Sequence, residues 1–203
     1  MNPAPTIGVL ALQGDVREHS RMLEELGARV RRVRSAIDLE GLDGLVLPGG
    51  ESTTIAQLAE RWGVLDPLRN VVRSGMPAFG TCAGLILLAD EIADAKVGQK
   101  SIGGLHVTAR RNAFGRQVDS FEQDLVIPAI GARPCRAVFI RAPAVEGVGP
   151  EVEVLAHIEE GPAAGRIVAV RQGSILATSF HPELTSDTRV HALFLDMVAQ
   201  ASG

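Results

Sequence analysis

The sequence predicts an α/β fold of three layers: a mostly parallel central sheet with helices on both faces and antiparallel additions in the second half. Three observations carry this. Short apolar runs alternate with amphipathic segments through the first half, the pattern of strands joined by crossover helices. The second half changes to closely spaced strand-like runs joined by short turns. The 203 residues show no repeat, low-complexity tract or linker-like shift in composition, so residues 1–203 are expected to form one domain.

Ile7 to Leu12 is a short apolar run and reads as a buried strand. Asp15 can cap a helix with apolar positions Val16, Met22, Leu23 and Leu26, ended by Gly27. Val30 to Val33 and Gly44 to Leu47 read as the next strands, the latter stopped by Pro48-Gly49-Gly50. Ser52, Thr53 and Thr54 are candidate caps for a helix through Ile55, Leu58, Ala59 and Trp62, and Leu65 to Arg73 follows as a short helix. Pro77 to Thr81 reads as a strand and Ala83 to Ile92 as a strongly apolar helix. Strands are then expected at Leu105–Ala109, Val118–Phe121, Ala137–Ile140, Val152–Ile158, Ile167–Arg171 and Ser174–Ser179, before a last helix from Thr188 to Ala201.

Composition narrows the function. Hydrophobic residues make up 46% and charged residues 22%, the balance of a soluble globule, and with only 3% aromatics the core must be aliphatic. A net charge of −4 offers no electrostatic grip on nucleic acid or anionic lipid. The arginines at 29, 31, 32 and 34 read as the solvated end of an amphipathic helix rather than a phosphate site. Two cysteines, Cys82 and Cys135, cannot make a disulfide framework, which fits a reduced, cytoplasmic setting. No signal peptide is legible, and no apolar run approaches the roughly 20 residues of a membrane span.

Open α/β sheets place their sites at the carboxyl ends of strands, and three loops there carry chemistry. Gly80-Thr81-Cys82-Ala83-Gly84 lies where a strand turns sharply into a helix, the nucleophile-elbow arrangement with Cys as nucleophile. Small neighbours leave the sulfur exposed, a helix N-terminus favours the thiolate, and the Ala83 N–H lies near any oxyanion on the attacked carbon. In Ser179-Phe180-His181-Pro182-Glu183, Pro182 stiffens the turn. Glu183 can accept from one ring nitrogen of His181 and leave the other for Cys82, the order of a triad. Leu47-Pro48-Gly49-Gly50-Glu51-Ser52 brings two glycines to a helix start, and Gly50 is a candidate backbone oxyanion donor. No Gly-Lys-Ser/Thr follows, so it is not a phosphate-binding P-loop. His19, His106, His157 and His191 lack ligand-like spacing, so no metal is expected, and Cys135 reads as a bystander.

The elbow and His181-Pro182-Glu183 resemble the class I, triad-type glutamine amidotransferases. The runs Leu12 to His19, Pro48 to Thr54, Phe79 to Leu87, Arg111 to Gln117, Phe139 to Pro143 and Ser179 to Thr185 narrow the resemblance to one family, the glutaminase subunit of pyridoxal 5′-phosphate synthase, from Ile7 to about Met197. The resemblance implies a flavodoxin-like sheet and hydrolysis of L-glutamine to L-glutamate and ammonia, with no cofactor. It implies Cys82 as nucleophile, His181 as acid and base, and Glu183 as its orienter. Gly50 and Ala83 would form the oxyanion hole, and Gly50, Glu51, Ser52, Arg111, Ile140 and Arg141 the glutamine site. Gln13 would face the partner, a pyridoxal 5′-phosphate synthase subunit that takes the ammonia in a hetero-oligomeric complex. Two departures stand out: Arg110, where a carboxylate is common, and a longer Glu159–Gly165 loop. Three rivals remain at this level: a glutaminase feeding another synthase, a redox sensor or chaperone with a Cys elbow on a related α/β sheet, and a catalytically dead scaffold that only binds a partner. The His-Pro-Glu run argues against the second and the intact triad against the third.

Overall fold

The computed structural model describes residues 3–95, 97–114 and 120–202. Its first half alternates β1 (Thr6–Leu10), α1 (Val16–Glu25), β2 (Arg29–Val33), β3 (Gly44–Leu47), α2 (Ser52–Arg61), α3 (Leu65–Arg73), β4 (Ala78–Thr81) and α4 (Ala83–Leu88). The second half adds β5 (Ala89–Ile92), β6 (Leu105–Arg110), β7 (Ser120–Leu125), β8 (Cys135–Ile140), β9 (Ala144–Val148), β10 (Glu153–His157), β11 (Ile167–Gln172), β12 (Ile175–Thr178) and α5 (Arg189–Ala201). The main sheet runs β2-β1-β3-β4-β12-β11-β9-β6-β5, with β10 also on β11, and β7 and β8 form a separate ribbon.

Side-chain alternation explains the layers. Leu45 and Leu47 of β3 point into one core with Ile55, Leu68 and Leu85 from α2, α3 and α4. Val46 between them, with Phe79 of β4, points into the other, against Leu23 of α1 and Phe194 and Met197 of α5. Helices therefore cover both faces, as the alternating pattern predicts.

Several local expectations are corrected. The apolar run from Ala83 is helical only to Leu88. The Leu87 carbonyl is taken by the N–H groups of Ile102 and Gly103, and Ala89 begins parallel pairing with Leu105. Glu51, not Ser52, Thr53 or Thr54, caps α2, its carboxylate accepting from the N–H groups of Thr53 and Thr54. Trp62 follows that helix at its C-cap and is half exposed. The arginines 29, 31 and 32 lie on the edge strand β2, not a helix end, and charge on an edge discourages pairing with other chains. β9 was not expected; it pairs antiparallel with β6. Gly115, Arg116 and Gln117, and the start of the expected Val118–Phe121 strand, lie outside the described residues.

The most consequential correction concerns β12. Expected among the antiparallel additions, it pairs parallel with β4, Thr178 opposite Thr81. β3, β4 and β12 are thus adjacent parallel strands. The loops after them, carrying Gly50, Cys82 and His181, emerge at one end of the sheet.

The elbow depends on close backbone approach. A Cβ on Gly84 would lie 2.0 Å from the Leu47 carbonyl oxygen, and one on Gly80 2.5 Å from the Gly84 backbone. Gly84→Ala is therefore expected to destabilise the fold by at least about 2 kcal/mol, read as a lower urea midpoint at unchanged m-value.

Among the described residues no helix is long and apolar enough to cross a membrane.

Candidate active site

A cleft of about 300 Å³ opens at the shared strand end, lined by Gln13, Asp15, Gly50, Glu51, Ser52, Cys82, Ala83, Arg111, Ile140, Arg141 and His181, among others. All the expected site residues except Glu183 line it, and Glu183 lies directly behind His181. The size suits a small ligand. Among the described residues, the lining of a larger hollow of about 410 Å³, between Phe121 and the Glu159–Gly165 turn, includes no cysteine, serine or histidine.

Cys82 is held at φ 50°, ψ −104°, a strained geometry for a residue with a side chain. Its N–H donates to the Thr178 carbonyl at 2.8 Å, tying the elbow to β12. Three non-glycine residues among those described have positive φ, Cys82, Asn112 and Arg141, and all three line this cleft. Strain gathered at one cavity marks a functional site. The sequence reading placed Asn112 in a family run without giving it a role.

His181 is fixed from several sides. Its backbone N–H donates to the Val138 carbonyl at 2.9 Å, and its Nδ1 lies 2.7 Å from Glu183 Oε1. Nδ1 is thereby committed to Glu183, leaving Nε2 for the cleft that His181 shares with Cys82. Gly49 presses on the same ring: a Cβ there would lie 2.4 Å from His181 Cε1. Burial opposes the imidazolium, but hydrogen bonds with Asp15, Cys82 and Glu183 outweigh it and push the His181 pKa up to about 12. Glu183 is fully buried. Burial favours its neutral form, yet the charge of His19 and the hydrogen bond from His181 hold its carboxyl far below the ordinary range.

Asp15 departs from its expected role. It occupies the N-cap position of α1, but its side chain makes no cap hydrogen bond. Instead its Oδ2 lies 3.3 Å from His181 Nδ1. Donor atoms of Asp15, His181 and Glu183 lie within 4.8 Å of one another, but His181 and Glu183 are already paired through the nearest of them.

Across the cleft, Gln13 Oε1 accepts from the Glu51 N–H at 2.8 Å and so pins the Gly50–Glu51 peptide. Gly50 has φ +154°, at the margin of the region that favours glycine. The Glu51 carboxylate accepts from the N–H groups of Thr53 and Thr54 and lies 3.2 Å from Arg111 Nη2. Burial raises its pKa, but the Thr54 and Thr53 hydrogen bonds prevail and bring it down to about 2, so it is anionic at neutral pH. Arg111 is mostly buried, with Nη1 3.4 Å from Gln99 Oε1. Ser52 is buried on the same wall. The Ile140 carbonyl faces Cys82 Sγ at 4.0 Å.

The model of the SNO glutamine amidotransferase family matches residues 9–200. The chain belongs to that family. The pyridoxal 5′-phosphate synthase subunit PdxT of Nocardioides sp. is 59% identical over 98% of this chain and 99% of its own length. That of Kineococcus radiotolerans is 60% identical over 98% of this chain and 97% of its own. A crystal structure described as a glutamine amidotransferase superposes with a TM-score of 0.87 at 49% identity, covering 95% of this chain and 98% of that one. PurLQS from Thermotoga maritima, with a TM-score of 0.69 and 16% identity over 96% of this chain and 99% of that one, shares the fold.

The remaining sequence expectations fall outside the family's cleft. Cys135 packs in the core of β8, and burial pushes its thiol pKa up. Arg110 pairs with Glu146 across β6 and β9. His19 and His191, set aside as metal ligands, are fully buried directly behind the cleft.

Proposed function

We propose that this chain hydrolyses the side-chain amide of L-glutamine through Cys82, His181 and Glu183 and delivers the ammonia to a synthase subunit that makes pyridoxal 5′-phosphate. The observation that carries this is the ordered row of Cys82, His181 and buried Glu183 at one end of three parallel strands, in a chain of this family.

The charge pattern sets the mechanism. His181, held protonated by two carboxylates, stabilises a thiolate on Cys82. Sulfur attacks the δ-carbon of glutamine. The oxyanion is met by the N–H of Ala83, which opens α4 and has no carbonyl within the helix to bond, and by that of Gly50. His181 gives its proton to the leaving nitrogen, the C–N bond breaks and ammonia departs. A γ-glutamyl thioester remains on Cys82. His181, now neutral, takes a proton from water as the oxygen attacks the thioester, and glutamate leaves with the thiolate and imidazolium restored. Glu183 holds the tautomer and stabilises the cation throughout. Arg111 suits the α-carboxylate of glutamine and the Glu51 anion its α-ammonium. Ser52, Ile140 and Arg141 complete the walls.

Regulation follows from the oxyanion loop. One donor there is worth about 3 kcal/mol, so a small shift of the Gly49–Gly50 peptide silences the site. Gln13 holds that peptide through Glu51, and a synthase subunit docking on the Gln13 side orders it. Glutamate release is expected to rise when the synthase subunit is added to the purified chain. Equal turnover with and without it would sink the activation idea.

A further inference from the structure

The triad leaves two buried histidines without a task, His19 and His191, and the first of them reaches it. His19 lies on α1, one turn beyond Asp15, and is fully buried. Its Nδ1 is 2.9 Å from His191 Nε2 on α5. Its Nε2 is 3.0 Å from Thr81 Oγ1 and 3.5 Å from Glu183 Oε1. One side chain therefore touches the strand end that carries Cys82, the turn that carries Glu183, and α5. Glu183 Oε1 is also the atom paired with His181 at 2.7 Å, while Oε2 has no hydrogen-bond partner among the described residues.

Proton positions follow from these contacts. A bare lone pair on His19 Nε2 would face an anionic carboxylate and be repelled, so Nε2 carries a hydrogen whether the ring is neutral or cationic. Burial first, and then positive charge on His19, push the His191 pKa down to about 3, so His191 is neutral. The groups packed around His19 are therefore the Glu183 anion, neutral His191 and the Thr81 hydroxyl, with His181 and Asp15 beyond Glu183.

We propose that His19 is a positioning residue: its Nε2 edge, hydrogen-bonded to Thr81 Oγ1 and in charge contact with Glu183 Oε1 at 3.5 Å, holds the Glu183 carboxylate against His181 and ties it to the strand that presents Cys82. This rests on Cys82, His181 and Glu183 being the triad. Two neutral amide variants test it in the complex with the synthase subunit. Gln at position 19 can place an amide donor where Nε2 stands, whereas Asn reaches only as far as Nδ1. His19→Asn is expected to lower kcat by roughly 10- to 100-fold, the worth of one hydrogen bond to a charged group, with KM for glutamine within about twofold of wild type. His19→Gln is expected to recover most of that loss. Without the donor, Glu183 takes up a proton at higher pH, so the acid limb of kcat/KM moves upward by about half a unit or more in His19→Asn. Equal kcat in the two variants, with the acid limb unmoved, would overturn the proposal, as would a loss confined to KM. Glutamate release by Cys82→Ala is a separate result and would remove the triad reading itself.

Discussion

Glutamine hydrolysis is expected to fall by at least about 10,000-fold in Cys82→Ala, because Cys82 is the proposed nucleophile and no other cysteine lines the cleft. The cleft offers carboxylates at Asp15 and Glu51, but Asp15 lies 3.3 Å from His181 Nδ1 and Glu51 is spent on the α2 cap and Arg111. Neither stands at the strand–helix elbow that Cys82 occupies. Binding is expected to survive, since Arg111, Glu51 and Ser52 are untouched, so isothermal titration of glutamine into Cys82→Ala should give a dissociation constant near the wild-type KM. Turnover within tenfold of wild type would place the nucleophile elsewhere.

The second large effect concerns Glu183. Glu183→Gln keeps shape and burial but removes the anion beside His181. A reduction of about 100- to 10,000-fold in kcat is expected. The sign of the pH change is fixed by the His181 pKa: burial lowers it, and hydrogen bonds with Asp15, Cys82 and Glu183 raise it, to about 12. Taking away the Glu183 charge lowers it again, so the imidazolium is lost at lower pH. The basic limb of kcat/KM should move down by about one unit or more. Stability follows the opposite limb. The depressed Glu183 carboxyl contributes stability above its ordinary value of 4.5 and loses it as pH falls further. Wild type should therefore lose stability more steeply than Glu183→Gln in acid, as read by urea midpoints across that range.

How far the sequence carried the site depended on the kind of information each residue holds. The elbow was legible because its two glycines are needed locally: Gly84 lies against the Leu47 carbonyl, where no side chain fits. His181 and Glu183 were legible because a rigid two-residue turn places them. Asp15 and His19 were not given their places. Periodicity makes Asp15 a helix cap and His19 a polar helix position, and only the packing of α1 against β4, α5 and the His181 turn turns them toward the triad. The α4–β5 boundary was hidden because Ala83 to Ala89 is buried throughout, on both sides of the boundary, and has no period to change. Parallel pairing of β12 with β4 was hidden because alternation along a strand does not name its neighbour. β9 was masked by Gly147 and the Pro143 before it.

The proposed catalysis is covalent at Cys82. Its most direct test is intact-mass analysis of the chain, with its synthase subunit, acid-quenched during glutamine turnover. A γ-glutamyl adduct that peptide mapping places on Cys82, and that is absent from Cys82→Ala, is the predicted result. Glutamate release at full rate, with the burst of acyl-enzyme absent from a rapidly quenched time course and Cys82 unmodified throughout, would contradict it.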